Sequence, residues 1–464
     1  MPAPSVQARL RAQIEALETG LLERETAVRL VLLAALAGEH VLLIGPPGTA
    51  KSELARRLHG VLASGRYFER LLTRFSTPEE LFGPLSLKAL EDDRFERLTD
   101  AYLPTASIAF LDEVFKANSA ILNALLTLLN EREFDNGSQR LHVPLISVIG
   151  ATNEVPGEDA LMAFYDRFLL RVPVTPVSDA AFGALLQLEG RAPARPAEQW
   201  QPDELAALLE ARAGVALPES VQAHLAALRL RLKAQDIAVS DRRWRQLVGL
   251  LRSAAHTDGR SSVDELDLWL VPYALAQQPA QVAGIEAWFL SDVAEAAPQD
   301  APWLTRAVEA FEKQLELEQD ASPEGGDDQG AGKLSLARAI SGGSGGAGEG
   351  MLRIVSASLE KELRRHYSPV HVAARLAQVD EVLARARAQA DGVRQQLDAL
   401  TARLAGRLWL PPALAAAMRS ARERTLALLD HLCERLEAAA VGYADLPVSA
   451  ELPAQTPEPI ELRA

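Results

Sequence analysis

The sequence is nearly devoid of cysteine, since Cys433 is the only one among 464 residues. A single cysteine excludes an internal disulfide framework, and with it the class of small secreted proteins that depend on one. No apolar run approaches the roughly 20 residues that a membrane-spanning helix needs. The first 18 residues follow an amphipathic helical pattern without the apolar segment of a secretory signal. We therefore expect a cytoplasmic protein with no transmembrane segment.

Positive charge is also scarce. The chain has 48 Lys and Arg residues against 63 Asp and Glu residues, a formal net charge of −15. Proteins that bind nucleic acid over a broad surface are usually basic, so no stable nucleic acid binding is expected. Apolar residues, by contrast, make up 48% of the chain, which is ample for large cores. The length predicts roughly two to four domains.

Short apolar runs alternate with helical patterns from about residue 5 to 175. This alternation predicts an α/β layer with a mostly parallel sheet. The expected strands are almost continuously apolar, as strands buried on both faces should be. They lie at 40–45, 107–112, 145–152 and 168–174, with a weaker one near 66–73.

The rest of the chain shows helical patterns only. Residues 176–300 predict a small all-α domain, and 302–319 predict one more helix. The Gly-, Ser- and acid-rich residues 320–350 predict a flexible linker. Beyond it, an apolar heptad seam over 376–404 is followed, after "WLPP" at 409–412, by a second apolar pattern. We interpret these as a long antiparallel hairpin that packs with the 302–319 helix; a coiled coil between chains is the alternative, disfavoured by the short turns.

The stretch "LLIGPPGTAKSELARRL" (42–58) has the layout of a phosphate-binding loop: a buried strand, a Gly/Pro turn and an amphipathic helix. Backbone N–H groups in such a turn face phosphate oxygens, and the helix amino terminus favours negative charge. Lys51 would reach the β and γ phosphates, and the Ser52 hydroxyl would bind Mg²⁺. Because Ala50 stands where the strict motif has glycine, a turn with a solvated lysine is the alternative.

Polar residues also follow the next apolar strands. Asp112 and Glu113 lie at the carboxyl end of the apolar strand in "SIAFLDEVFKA", and Asn153 follows the strand that ends in "VIGAT". Ligands of open α/β sheets lie at the carboxyl ends of the strands. Two acids there are costly unless they meet a cation or water, so Asp112 is the candidate Mg²⁺ ligand and Glu113 the candidate general base. Asn153 could hold the attacking water or sense the γ-phosphate; a helix-capping acid pair and a loop asparagine are the alternatives.

Arginines complete the pattern. Arg167 in "MAFYDRFLLRV" could stabilise transition-state charge on a neighbouring subunit's nucleotide, whereas a surface pair with Asp166 is the alternative. Arg242 and Arg243 open a helix in "VSDRRWRQL", where cations oppose the helix dipole, so an anionic partner is expected. The order and spacing of these signals on successive strands predict a nucleotide-hydrolysing site.

Together these segments resemble the AAA+ ATPases and, within them, the MoxR group. "GPPGTAKS", "IAFLDEVFKANSAILNALLTLLNEREF", "GATNEVP" and "YDRF" are similar to that group's Walker A, Walker B, sensor 1 and arginine-finger segments. Members of the group tolerate alanine before the Walker lysine. Residues 71–104, and "GLLERETAVRLVLLAAL" before the first strand, resemble the RavA subgroup (regulatory ATPase variant).

The fold implied by this resemblance is an α/β AAA+ core of the P-loop NTPase type with a parallel sheet, an all-α lid and a C-terminal helical arm. The expected boundaries are 1–190 for the nucleotide-binding domain, 191–300 for the lid, 301–319 for the first arm helix, 320–350 for the linker, 351–445 for the hairpin and 446–464 for the tail.

The resemblance also implies ATP and Mg²⁺ as cofactors, with site residues carried over position by position. The phosphate-binding residues would be Gly45, Gly48, Thr49, Ala50, Lys51 and Ser52, with Glu53 beside them and Leu22 and Val28 flanking the adenine. The implied roles are Mg²⁺ ligands for Ser52 and Asp112, general base for Glu113, sensor 1 for Asn153, arginine finger for Arg167 and sensor 2 for Arg242. Arg132, in "NERE", is a second candidate for the residue that acts on the neighbouring subunit.

The implied assembly is a homo-hexameric ring with nucleotide between subunits, acting as a remodelling or chaperone-like ATPase on protein partners. A von Willebrand factor A domain protein is the expected partner. RavA proteins also carry a compact β-rich module in the arm that binds an acid-stress lysine decarboxylase. The corresponding stretch here is too short and too poor in alternating strands for that module, which puts decarboxylase binding in doubt. A nucleic-acid motor and a nucleotide-gated scaffold are the alternative functions.

Overall fold

The computed structural model describes residues 5–63, 65–188, 198–294, 299–321 and 365–460. The chain divides into two compact units. The first unit combines Met1–Ala296 with Leu404–Met418, and the second combines Ala297–Arg403 with Arg419–Ala464. The predicted linker at 320–350 lies outside the described residues from residue 322 onward, as does the predicted hairpin before residue 365.

A five-stranded parallel sheet forms the centre of the first unit. The described strands of the first unit, in chain order, are β1 (Val41–Ile44), β2 (Tyr67–Leu71), β3 (Ile108–Asp112), β4 (Glu133–Asn136), β5 (Gln139–His142), β6 (Ser147–Thr152) and β7 (Leu170–Pro173). The sheet order is β2-β3-β6-β1-β7, and β4 and β5 form a separate antiparallel hairpin. All neighbours in the large sheet pair in parallel, so the five strands expected from the sequence and their parallel arrangement are confirmed.

The central strands of the sheet are buried on both faces, whereas the edge strand β2 is partly exposed. Every residue of β1 and β6 is buried, which is what continuous apolar runs in a parallel sheet predict. The described helices of this unit are α1 (Val6–Glu18), α2 (Glu25–Ala37), α3 (Lys51–His59), α4 (Pro78–Phe82), α5 (Leu87–Glu91), α6 (Ser119–Glu131), α7 (Asp159–Tyr165), α8 (Asp179–Leu186), α9 (Pro202–Ala211), α10 (Glu219–Ala234), α11 (Asp241–Thr257), α12 (Val271–Leu275) and α13 (Pro279–Trp288).

Side-chain caps fix several of these helix starts. The Asn118 carboxamide accepts a hydrogen bond from the Ile121 N–H at 3.1 Å and begins α6 directly after β3. The Ser240 hydroxyl accepts from the Arg243 N–H at 3.3 Å and begins α11. Such caps satisfy N–H groups that have no partner within the helix, so the sequence determines where these helices begin.

The β4–β5 hairpin was missed by the sequence prediction. Its signal is the Asn-Gly pair in "EFDNGSQRLH", a strong hairpin marker. Gly137 has a φ of +67°, and a Cβ there would lie 2.5 Å from the carbonyl oxygen of Phe95. The Asn136 carboxamide accepts from the Arg97 N–H at 2.6 Å and donates to the Arg97 carbonyl at 3.1 Å. The hairpin is thereby tied to the segment between β2 and β3.

In the described part of the second unit, three helices share one core: α14 (Pro302–Gln319), α15 (Pro369–Leu404) and α16 (Pro412–Ala444). Phe311, Val379 and Leu436 meet in this core. Because the three helices of this core belong to one chain, the predicted helical hairpin packed against a third helix is confirmed. None of the helices in the described parts of the chain is both long and apolar enough to cross a bilayer.

A buried charge network fixes the end of α14 against α15. The Glu318 carboxylate is 6% exposed and accepts from Arg375 Nε at 2.9 Å. It also lies 3.1 Å from His371 Nε2, and the Tyr367 hydroxyl donates to the Glu318 carbonyl at 2.7 Å. Buried charges persist when they are paired and hydrogen-bonded in this way.

The turn between α15 and α16 belongs to the first unit. The Leu408 N–H donates to the Asp258 carboxylate at 2.9 Å, and Trp409 Nε1 donates to the Thr257 hydroxyl at 2.8 Å. Arg407 Nη1 donates to Asp267 at 3.0 Å. The chain thus enters the first unit a second time, more than 100 residues after it left.

Candidate nucleotide site

The loop between β1 and α3 has the backbone shape that its sequence predicts. Gly48 has a φ of +81° with open space around its missing Cβ, so this glycine serves the turn. A Cβ at Gly45 would lie 2.0 Å from the Val174 carbonyl oxygen, so this glycine is needed for close packing against the chain after β7. Ala50 has a φ of +65°. A left-handed alanine costs about 1–2 kcal/mol, which explains why the strict motif has glycine here.

Lys51 is folded over this loop. Its Nζ donates to the carbonyl oxygens of Gly45 at 2.7 Å and Pro46 at 2.8 Å, and the residue is 8% exposed. Burial lowers the pKa of Lys51, while the nearby carboxylates of Asp112 and Glu113 oppose that shift. The structure therefore brings the loop lysine together with the acid pair at the end of β3.

Arg24 braces the loop and was missed by sequence reasoning. Its guanidinium Nε donates to the Thr49 carbonyl at 3.2 Å, and Nη2 donates to the Thr175 carbonyl at 2.7 Å. One buried side chain thus joins the phosphate loop to the segment after β7. Next to it, the Glu23 carboxylate accepts from the N–H of Ser178 at 2.8 Å. No motif in the sequence signals this role, because an arginine before an apolar helix is common.

The acid pair and the asparagine meet at the carboxyl edge of the sheet. Asn153 Nδ2 donates to Glu113 Oε1 at 2.7 Å, and Lys116 Nζ lies 3.3 Å from Glu113 Oε2. Glu113 has a φ of +51°, and its N–H donates to the Asp112 carboxylate at 3.0 Å. Strained backbone of this kind is characteristic of functional sites. Glu113 stands at the N-cap position of the 3-10 turn Val114–Lys116 without a side-chain cap hydrogen bond, and α6 is capped by Asn118.

Arg167 is not paired with Asp166. Its Nε is buried without a hydrogen-bond partner among the described residues, and Asp166 instead lies 3.4 Å from Arg171 Nη2 and 3.7 Å from Arg243 Nε. The surface-pair alternative for Arg167 is therefore wrong.

Arg242 and Arg243 diverge from the first turn of α11. Arg243 is buried and donates twice to the Phe168 carbonyl, at 2.7 and 3.1 Å. Burial, reinforced by Arg171, lowers the pKa of Arg243 to about 9. The anionic partner expected for Arg243 is Asp166, and the Phe168 carbonyl is a second, uncharged acceptor.

Arg242 does not meet the phosphate loop of its own chain. It is exposed, its Nη2 donates to the Asn130 carboxamide at 3.2 Å, and it is close enough to Glu39 to affect that carboxyl. Glu39 precedes β1 whereas the loop follows it, and six extended residues span roughly 20 Å. Arg242 therefore lies at the amino ends of the strands, opposite the phosphate loop. The predicted sensor 2 role did not anticipate this placement.

The remaining predicted site residues differ in their exposure and in their contacts. Leu22 is half-buried in the turn before α2, whereas Val28 is fully buried inside α2. Glu53 is held by Arg57 on its own helix at 2.8 Å. Arg132 donates through Nη2 to the carbonyls of Gly38 and Ile146, at 2.8 and 3.2 Å, and burial lowers its pKa to about 10. A guanidinium committed to backbone in this way is poorly suited to act on a neighbouring subunit.

The donor set fits magnesium with phosphate ligands. Ser52 and Asp112 offer hydroxyl and carboxylate oxygens, and Mg²⁺ in nucleotide sites takes few protein ligands and completes its shell with phosphate and water. Within the ranges that the structure describes, no cluster of three or more His, Cys, Asp or Glu side chains could hold a metal ion alone. A metal at this site would therefore depend on bound nucleotide.

Two known families match consecutive segments of the first unit. Residues 8–210 match the MoxR domain in the MoxR-vWA-beta-propeller ternary systems, and residues 220–289 match the AAA lid domain. The first match contains every predicted site residue except Arg242, which lies in the second.

Individual relatives agree with these matches. An uncharacterized protein of Methanocaldococcus jannaschii is 42% identical over 272 residues, which are 57% of this chain and 70% of that protein. Protein MoxR of Paracoccus denitrificans is 28% identical over 173 residues, 36% of this chain and 50% of that protein. The crystal structure of a candidate ATPase from Cytophaga hutchinsonii shares the fold with a TM-score of 0.51 at 17% identity, covering 62% of this chain and 95% of that one. The chain belongs to the MoxR-type AAA+ ATPases.

Proposed function

We propose that this protein hydrolyses ATP with Mg²⁺ as a homo-hexameric, RavA-like ring that remodels protein partners. The observation that carries the proposal is the convergence of Lys51, the Asp112–Glu113 pair and Asn153 at one edge of the sheet. Positioning and electrostatic stabilisation are what phosphoryl transfer to water requires.

Each residue has a role that follows from its placement. The Lys51 ammonium now bonds two loop carbonyls and would exchange them for β- and γ-phosphate oxygens. Ser52 and Asp112 would hold Mg²⁺, whose charge offsets that of the phosphates. Glu113 would take the proton of the attacking water, and Asn153 would orient both the carboxylate and the water. Ala50 and Gly48 shape the loop so that its N–H groups face the phosphates.

Arg167 would act on the neighbouring subunit. Its buried Nε has no partner among the described residues, so the side chain can turn toward a group that another chain supplies. A guanidinium supplied in trans stabilises transition-state charge and raises kcat by up to about 10⁵ in GTPases. By the same placement, Arg242 would serve only a nucleotide held by another subunit.

Protein partners are favoured by an apolar surface on the segment between β2 and β3. Phe75 is 82% exposed, and Leu87, Phe95 and Leu98 are also largely exposed. Exposed apolar side chains concentrated in one segment are typical of surfaces that contact other proteins. The matched family is described through systems that contain a vWA protein, which supports a von Willebrand factor A domain protein as the partner.

The first experiment separates binding from chemistry. Lys51→Ala should abolish ATP binding, because the variant lacks the positive charge that attracts the triphosphate. Glu113→Gln should bind ATP normally and lose a factor of about 10²–10⁴ in kcat. Glu154→Gln, an exposed carboxylate one residue beyond Asn153, is the matched control and should retain parent activity. Unchanged nucleotide affinity in Lys51→Ala would overturn the phosphate-loop assignment.

A second experiment tests action between subunits. Glu113→Gln chains keep Arg167, and Arg167→Ala chains keep the base. Mixed rings should regain partial activity at interfaces where the two intact groups meet. Folded, nucleotide-binding mutants that assemble together yet remain inactive would exclude action in trans. A protein that stays monomeric with ATP would exclude the ring.

A further inference from the structure

A cavity of about 600 Å³ lies at the amino ends of the strands, at the sheet edge opposite the phosphate loop. Its walls come from the end of α2, from the segments before β3 and β6, and from α9. Its volume is within the range of small-molecule sites. Because Glu39 precedes β1 and the phosphate loop follows it, a ligand here would leave the nucleotide site free.

The apolar wall of the cavity is rigid. Leu205 and Leu209 of α9 line it together with Trp200, which is 2% exposed. The indole Nε1 donates to the Gln13 carboxamide at 2.8 Å, and the Arg9 guanidinium lies 3.8 Å from the ring centroid. An indole held on two sides offers a fixed apolar surface without further loss of side-chain freedom.

The polar wall has an excess of positive charge. Arg132 and Arg212 both line the cavity, against the single carboxylate of Glu39. Burial raises the pKa of Glu39 to about 7, so this carboxylate is only partly charged at neutral pH. The Gln246 side chain donates to it at 2.8 Å.

The Arg132 guanidinium is incompletely hydrogen-bonded. Arg132 Nη2 is fixed by two carbonyls, which leaves Nη1 buried without a hydrogen bond among the described residues. An unsatisfied buried donor costs about 1–3 kcal/mol, and more when it is charged. An anion in the cavity would be attracted by the positive charge of this guanidinium at short range.

We propose that this cavity binds a small organic anion with an apolar body. The oxyanion head lies against the guanidinium charges of Arg132 and Arg212 in the cavity wall, and the apolar body lies against Leu205, Leu209 and Trp200. A ligand in this position bridges α9 and the amino edge of the sheet. The site requires neither ATP nor the residues assigned to hydrolysis, so it can be tested independently of the proposed function.

Binding is tested on the full chain without nucleotide, using 1-anilinonaphthalene-8-sulfonate and its neutral analogue N-phenyl-1-naphthylamine. The sulfonate should bind one saturable site by calorimetry, with at least about tenfold higher affinity than the neutral probe, because only the sulfonate can pair with Arg132. Arg132→Met keeps the apolar stem and removes the guanidinium, so it should erase the preference. Equal affinities for both probes in the parent chain would overturn the proposal.

A second variant tests the location without touching the sheet. Ala206 is exposed on α9 and lines the cavity, so Ala206→Trp should fill its mouth and abolish sulfonate binding. Ala207→Trp adds the same indole at the next position, which does not line the cavity, and should bind like the parent. Sulfonate binding that survives Ala206→Trp, or no saturable binding in the parent, would overturn the proposal.

Discussion

Ala50 is the residue whose backbone conformation conflicts most directly with its type, because it is left-handed at the start of α3. Replacing it with glycine removes the strain but adds freedom to the unfolded chain. We expect Ala50→Gly to raise the free energy of unfolding by about 0.5–1 kcal/mol and to preserve ATP binding. Urea unfolding and nucleotide titration measure the two effects.

The matched control is Ala207→Gly, in the regular and exposed part of α9. It should lower stability by about 0.5–1 kcal/mol, as glycine does in a helix interior. If both substitutions destabilise equally, the left-handed conformation of Ala50 carries no strain.

Glu39 should make stability depend on pH. Its folded pKa is raised to about 7 by burial, opposed by Arg212, Arg132 and Arg242 and by the Gln246 amide. Between the unfolded pKa, roughly 4.3, and 7, the folded chain holds more protons, so this group lowers stability as pH rises. Glu39→Gln removes the proton release, and its stability relative to the parent should therefore increase from pH 5 to pH 8.

The increase is bounded by about 3 kcal/mol, since each pKa unit corresponds to about 1.4 kcal/mol. Urea unfolding at several pH values measures it. Glu91→Gln, an exposed carboxylate on α5, should follow the parent profile. A constant difference between Glu39→Gln and the parent across this range would contradict the raised pKa.

Among the elements, the β4–β5 hairpin depends on one carboxamide. Asn136 bonds both the N–H and the carbonyl of Arg97. Asn136→Ala should cost about 1–2 kcal/mol locally and speed amide exchange over residues 85–98, with little change at β1 or β6. Hydrogen exchange resolves this difference. Gln139→Ala, exposed on β5, should leave exchange as in the parent, and uniform acceleration across the sheet would show that the hairpin is not a separate unit.

In the second unit, Glu318 is the anion that permits Arg375 to be buried. Glu318→Ala leaves Arg375 without its carboxylate and should destabilise α14 and α15 by about 3–5 kcal/mol. Glu316→Ala, exposed one half-turn earlier on the same helix, should change stability by no more than about 0.5 kcal/mol. Hydrogen exchange within α14 and α15 measures both. Equal effects would contradict the buried pair.

Sequence patterns predicted the elements whose burial is uniform. The apolar strands, the loop after β1 and the helical hairpin depend on local periodicity and spacing, which a single sequence displays. Arg24 and Arg242 could not be placed in this way, because each contacts segments more than 20 residues distant in sequence. Such contacts follow from how helices pack on the sheet, and periodicity carries no information about them.

At the scale of the whole molecule, the second unit should tolerate loss of a long internal segment. The Arg365 N–H donates to the Ala321 carbonyl at 2.9 Å, so the ends of 322–364 are already adjacent. Replacing 322–364 by a short Gly-Ser link should leave stability within about 1 kcal/mol and ATP hydrolysis unchanged, because the residues on both sides of the replacement can keep this contact. Urea unfolding and ATPase rates test this.

The contrasting replacement is the 405–411 turn, exchanged for the same link. It removes the partners of Thr257 and Asp258 and should destabilise the first unit by several kcal/mol. If the 322–364 replacement unfolds the chain instead, that segment contributes essential contacts.

The return of Leu404–Met418 to the first unit also bears on how the chain is synthesised. A ribosome releases the chain from its amino terminus, so the unit that carries the phosphate loop stays incomplete until this turn emerges. Until then, Thr257, Asp258 and Asp267 lack hydrogen-bond partners that lie more than 130 residues later in the sequence. A nascent chain arrested near residue 350 should therefore be more sensitive to proteolysis around these residues than one arrested well beyond residue 418, although both contain every residue of the candidate nucleotide site.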